Sequence, residues 1–179
     1  MYTIVCLGDS ITCEWDEPHY PTYWQQLCDQ KFGPKKYRVI SAGVNGETAA
    51  DGLLRLEEDV LVADPDLITI MFGHNDLFQG IDPTLFEDHL HQIVRYLQDS
   101  SPADIWLLTP NQVSDPRLFE IYKPYLTVIK SLAKLLKIGY VNLWSVYNKM
   151  DISSIYTYPE DFVHPNALGH QLLAQKLIQ

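Results

Sequence analysis

The sequence predicts an α/β fold in which a five-stranded parallel sheet carries helices on both faces. Three observations support this. Short apolar runs alternate with longer amphipathic segments five times along the chain. The third run, Leu67-Ile68-Thr69-Ile70-Met71-Phe72, is apolar almost throughout, as a central parallel strand covered on both sides must be. Glycine, asparagine and proline punctuate the boundaries between runs. Strict strand–helix alternation implies parallel pairing through right-handed crossovers.

The first strand spans about Thr3–Leu7, and a loop, Gly8–Pro18, follows it. A helix from about Pro21 to Lys31 buries Tyr23 or Trp24, with Leu27 and Cys28, and Gly33-Pro34 ends it. Tyr37–Ser41 is the second strand and leads into the glycine-bearing loop Ala42–Glu47. Thr48 or Asp51 caps a helix carrying Leu53, Leu54, Leu56, Val60 and Leu61, stopped by Asp64-Pro65. After the third strand, Asp82-Pro83 supplies an N-cap and a proline at the first helical position. The helix it starts lines up Phe86, Leu90, Ile93, Val94 and Leu97 on one stripe. Ile105–Leu108 is the fourth strand. The next helix buries Leu118, Tyr122, Tyr125, Leu126, Ile129, Leu132 and Leu136, and Pro124 inside it predicts a kink or a split. Tyr140–Leu143 is the fifth strand, Trp144–Tyr158 is irregular or short-helical, and Asn166 caps a last helix carrying Leu168, Leu172 and Leu177. The 179 residues show no repeat, linker or low-complexity tract, so residues 1–179 form one domain around a single sizeable core.

Composition excludes several function classes. Hydrophobic residues make up 46% and charged residues 20%, an ordinary globular balance. The net charge of −10 opposes nucleic acid, whose phosphates need a basic face, and electrostatic docking on anionic membranes. No apolar run approaches the length of a membrane span. Cys6, Cys13 and Cys28 are odd in number and lack metal-site spacing, which fits a reducing compartment. With no signal peptide visible at the N-terminus, the expectation is a cytoplasmic protein without stable membrane association.

The chemistry converges on one sheet edge. Gly8-Asp9-Ser10, Gly43–Gly46 and Gly73-His74-Asn75-Asp76 follow the first three strands, whose carboxyl ends share that edge in a parallel sheet. Near the C-terminus stands Asp161-Phe162-Val163-His164-Pro165. An Asp and a His three residues apart in a turn let the carboxylate hold imidazole Nδ1–H and leave Nε2 free to take a proton. Ser10 is then the nucleophile, His164 the general base and later acid, and Asp161 the residue that orients it. The backbone N–H groups of Ser10 and Gly46 and the Asn75 amide are the oxyanion donors. Each element alone has an ordinary explanation as an N-cap or turn residue; together they assemble a complete site. A metallophosphoesterase on Asp9, Asn75, Asp161 and His164 would need more histidines and a second Asp-x-His element, which the sequence lacks.

These four blocks resemble the signature blocks of the GDSL esterases, also called SGNH hydrolases, over essentially the whole chain. The resemblance implies a flavodoxin-like three-layer fold with strand order 2-1-3-4-5. It also implies hydrolysis of small-molecule esters through an acyl-enzyme, without metal or other cofactor. The family's first block usually ends in leucine where this chain has Ile11, an apolar exchange that leaves the chemistry untouched. Gly43 competes with Gly46 as second oxyanion donor, and the run Val44–Thr48 matches the family pattern at Gly46. Short acyl groups, acetyl or similar, on a sugar or small alcohol are expected; lysophospholipase and thioesterase activities occur among similar proteins. Asp9, Trp15, His74, Phe78 and Tyr158 are candidate substrate contacts, with Tyr156 beside the last. Asp9 also suits hydrogen bonds to neighbouring loops, and His74 a solvent-facing loop position. His19, in the loop after the serine, fits either the site or the surface, whereas His89, His91 and His170 read as surface residues on helices.

Overall fold

The computed structural model describes residues 1–14, 18–156 and 160–179. Five parallel strands, β1 (Tyr2–Gly8), β2 (Tyr37–Gly43), β3 (Leu67–Met71), β4 (Asp104–Leu108) and β5 (Gly139–Val141), form one sheet in the order β2-β1-β3-β4-β5. The helices are α1 (Tyr20–Phe32), α2 (Ala49–Leu53), α3 (His74–Phe78), α4 (Pro83–Ser100), α5 (Phe119–Leu136) and α6 (Ala167–Leu177).

Two apolar layers follow from the two-residue period of the strands. Val5, Leu7, Ile68, Ile70, Ile105 and Leu107 face one way, against α2, α4 and α5. Ile4, Cys6, Leu67, Met71 and Leu108 face the other way, against α1 and α6. The stripe expected on α4 (Phe86, Leu90, Ile93, Val94, Leu97) is buried in full, and Asp82 caps the helix by accepting from Thr84 and Leu85 N–H.

Four local expectations are corrected. The segment after Thr48 is not one helix. It is α2, then a π-turn at Leu56–Val60 and a 3₁₀ turn at Leu61–Ala63, and Leu54 is 86% exposed rather than inward-facing. Thr48 and Asp51 close a capping box at its start, so both proposed caps are used. Pro124 does not split α5: it stands at the sixth helical position, where its missing N–H leaves one carbonyl, that of Glu120, without its helical donor. His170 is not a surface residue. It is buried on α6, its ring stacked on His19 at 4.1 Å between centroids, and His89 is half-buried. Leu173 on α6 takes the core position, while Leu168 is exposed.

The register brings the site together. Gly8 pairs with Gly43 on one side and with Met71 on the other, so the turns after β1, β2 and β3 leave the sheet side by side. Two glycines allow this close approach. A Cβ on Gly8 would lie 2.9 Å from the Met71 carbonyl oxygen, and one on Gly43 would lie 2.2 Å from the Cys13 nitrogen. Gly43→Ala is expected to lower stability by about 1–3 kcal/mol, because a backbone rather than a flexible side chain must move. Urea unfolding followed by circular dichroism measures this, and an unchanged midpoint would refute it.

Candidate functional site

Asp9–Cys13 turns tightly at the end of β1. Thr12 and Cys13 N–H both donate to the Asp9 carbonyl, at 3.1 and 2.9 Å, and the Asp9 carboxylate accepts from Ile11 N–H at 3.0 Å. Ser10, 7% exposed, sits at the crest of this turn. Its Oγ lies 2.8 Å from His164 Nε2. On the other side of the imidazole, Nδ1 lies 2.9 Å from Asp161 Oδ2. Asp161 Oδ1 also accepts from the backbone N–H of Val163 (3.1 Å) and His164 (3.0 Å), so the carboxylate that would orient the base also folds the turn carrying it. Burial would raise the Asp161 carboxyl, but those two N–H groups and the facing imidazole outweigh it and hold the group below the ordinary carboxylate range.

The second and third turns form one braced unit. Asn75, half-buried in the first turn of α3, donates from Nδ2 to the Glu47 carbonyl at 2.8 Å. Gln79 Nε2 reaches the Gly46 carbonyl at 3.2 Å, and Asp76 Oδ1 accepts from Ala49 N–H at 3.0 Å. Arg55, unremarked in the sequence, binds Glu47 through Nε at 2.6 Å and the Gly8 carbonyl at 3.1 Å, tying the turn after β2 to the end of β1. Gly46 has φ +76°, a left-handed backbone natural to glycine, and open space where a Cβ would stand. Gly43 is packed against the Thr12–Cys13 backbone instead.

Among the candidate substrate contacts, Phe78 is exposed at the end of α3, edge-on to Phe162 at 5.9 Å between centroids. Phe162 lies between Asp161 and His164 in the sequence, so this aromatic pair stands on the turn that carries the imidazole. Asp9 is 1% exposed, with its carboxyl turned into the protein, and His74 is 2% exposed between Tyr122 and Asn111. Tyr156 is also buried, its hydroxyl donating to the Gln112 carbonyl. Trp15 and Tyr158 lie outside the described residues. His19 is half-buried at the N-cap of α1, where burial lowers its imidazole while the Ile11 and Ser10 backbone opposes that shift. Asn111 escaped the sequence reading, which took Tyr122 only as a buried helix residue; the available signal was a polar Asn-Gln pair leaving β4 at the same edge.

Residues 6–172 match the GDSL-like Lipase/Acylhydrolase family. The chain belongs to that family. It is therefore a carboxylic ester hydrolase of the GDSL type. An acetylxylan esterase from Geobacillus stearothermophilus is 27% identical over 203 residues, an alignment covering 98% of this chain and 92% of that protein. A thioesterase 1/protease 1/lysophospholipase L1 from Escherichia coli is 29% identical over 122 residues, covering 68% of this chain and 52% of that protein. The solved structure of the Geobacillus stearothermophilus acetylxylan esterase superimposes with a TM-score of 0.84 at 26% identity, over 99% of this chain and 92% of that one. As in GDSL hydrolases, the fold is flavodoxin-like, with the sheet order expected from the resemblance.

Burial also leaves a testable mark on Asp9. Desolvation lifts its carboxyl from 3.8 to about 7, opposed by the Ile11 N–H bond and reinforced by Asp76 and Glu47. The unfolded chain loses this proton near 3.8 and the folded chain near 7. The associated stabilisation is complete below 3.8 and is lost as pH rises through 7. Asp9→Asn keeps an acceptor for Ile11 and removes the ionisation. Its stability relative to the parent should rise by about 1.4 kcal/mol per pH unit across that window, measured by urea melts at several pH values. A stability difference independent of pH would refute this.

Proposed function

We propose that the protein hydrolyses short-chain carboxylic esters, acetyl or similar groups on a sugar or small alcohol, through an acyl-enzyme on Ser10. One observation carries the mechanism: Ser10 Oγ, His164 Nε2 and Asp161 Oδ2 stand in line, with 2.8 Å from serine to imidazole and 2.9 Å from imidazole to carboxylate. Ser10 Oγ attacks the ester carbonyl carbon while its proton passes to His164 Nε2. Asp161 fixes the tautomer and stabilises the imidazolium. The carbonyl oxygen, now an alkoxide, accepts from Ser10 N–H, Gly46 N–H and the Asn75 amide. It reforms the carbonyl as the ester C–O bond breaks, and His164 protonates the departing alcohol. Water then repeats the attack with His164 as base, releasing the acid and restoring Ser10.

The substrate class rests on the open face of the site and on the relative that aligns along nearly the whole chain. The Asp161 and His164 side chains are 40% and 44% exposed, so the reacting centre lies in a shallow surface position. Such a site gives a long acyl chain little apolar surface to bury and suits a small acyl group on a bulky, water-facing alcohol. The esterase with that coverage is named for acetylxylan. The chain's acidity favours neutral substrates. The unpaired thiols of Cys6, Cys13 and Cys28 support a reducing compartment, the cytoplasm. Among the described residues no helix is long and apolar enough to cross a membrane.

Ser10→Ala should lower turnover of p-nitrophenyl acetate by roughly 10⁴-fold or more with an unchanged circular dichroism spectrum. Retained turnover in that variant would overturn the mechanism. Across p-nitrophenyl esters of increasing length, kcat/KM should be highest at two to four carbons, and acetylated xylo-oligosaccharides should release acetate. A maximum at about eight carbons or beyond would favour the lysophospholipase or thioesterase reading.

A further inference from the structure

His74 and Asn111 lie in the protein interior, shut away from solvent, yet each is one bond from a segment that carries a site residue. His74 immediately precedes Asn75. Its Nδ1 lies 2.7 Å from the Tyr122 hydroxyl and its Nε2 lies 3.1 Å from Asn111 Oδ1. Asn111 Nδ2 donates at 3.0 Å to the carbonyl of Val163, which immediately precedes His164, and at 3.1 Å to the Tyr156 hydroxyl. The Tyr156 hydroxyl in turn donates to the Gln112 carbonyl.

These distances permit one consistent direction of donation. An amide oxygen only accepts, so His74 must carry its proton on Nε2 and give it to Asn111 Oδ1. His74 Nδ1 then accepts from the Tyr122 hydroxyl. Both Nδ2 protons of Asn111 are consumed, by the Val163 carbonyl and by Tyr156. The order runs from Tyr122 through His74 and Asn111 to the Val163 carbonyl, with every member satisfied. Burial of His74 favours the neutral imidazole this order uses, lowering it to about 4.

We propose that Asn111 and His74 are positioning residues that set the spacing between the oxyanion amide of Asn75 and the base His164. The proposal rests on the catalytic reading given above. The two sides of the site come from distant parts of the chain: Asn75 from the turn after β3, and His164 from the segment between β5 and α6. A backbone bond from Ser114 N–H to the Phe162 carbonyl at 2.9 Å also holds the His164 loop, but it reaches the β4–α5 segment and not α3. Asn111 spans the gap from one side to the other through side-chain bonds. Rigid mutual placement of donor and base matters because a displacement of about 1 Å can lower turnover by up to about 100-fold.

Asn111→Asp is the sharpest variant, since it keeps the volume and the acceptor for His74 but loses both donors. His74→Ala and His74→Gln form a second pair, because the glutamine amide can reach Asn111 Oδ1 as Nε2–H does. The assays are kcat and KM on p-nitrophenyl acetate across pH, the rate of labelling by a fluorophosphonate, and thermal melting, all on the full chain. Asn111→Asp should lower kcat at least about tenfold with KM changed less than threefold, and should move the acid limb of the kcat/KM profile. His74→Ala should do the same, and His74→Gln should recover most of the loss. If the variants melt earlier but keep the parent's kcat and pH profile below their melting temperatures, the residues only support the fold and the proposal is overturned. Labelling separates the two readings: a parent that fails to label at Ser10 refutes the catalytic assignment. A parent that labels beside an Asn111→Asp variant labelling at the same rate refutes only the positioning role.

Discussion

The end of β1 is wedged between two neighbouring strands with no room for side chains. Gly8 faces Gly43 across one register and Met71 across the other, and the turn that presents Ser10 presses its backbone against Gly43. That contact brings three turns within hydrogen-bonding reach of each other. Arg55 can bridge Glu47 and the Gly8 carbonyl, and Asn75 can reach Glu47, because their backbones are already adjacent. A parallel sheet delivers strand ends to one edge by topology, but only small residues let the turns beyond those ends touch.

The price of this compact edge is buried polarity. Asp9 and Asp76 are shut away from solvent beside the site, and both carboxyls are raised by desolvation, Asp76 to about 6. Each nonetheless accepts a backbone N–H that shapes a turn, from Ile11 in one case and Ala49 in the other. The same logic governs Asp161, with the opposite result: more exposed and met by two N–H groups and an imidazole, its carboxyl is held below the ordinary range. Burial thus raises two of these carboxyls, while N–H groups and an imidazole lower the third.

Much of this was legible in the sequence, for reasons that particular residues show. The α4 stripe could be read because its five apolar residues repeat at helical spacing, and β3 because an apolar run of that length has few alternatives. The line from Ser10 to His164 was readable because the turn motifs carry their geometry in a few adjacent residues. Leu54 misled because its spacing suits a helix, and only the break into π and 3₁₀ turns points it outward. His170 and His74 misled because a histidine's burial is decided by partners far along the chain: His19 for one, Tyr122 and Asn111 for the other. Buried polar networks have no period, and so leave no pattern in one sequence.

The bond between Ser10 and His164 joins positions 154 residues apart. Every strand of the sheet is complete by Val141, and the apolar layer formed with α2, α4 and α5 by Ala133. The imidazole arrives later, on a segment held between the β4–α5 loop and α6, and α6 packs on α1 directly beside the turn that carries the serine. In chain order all five strands therefore precede the segment that brings an imidazole to Ser10. If Ser10 and His164 act as proposed, a chain cut short before residue 164 would keep the serine and every strand of the sheet but lack its base.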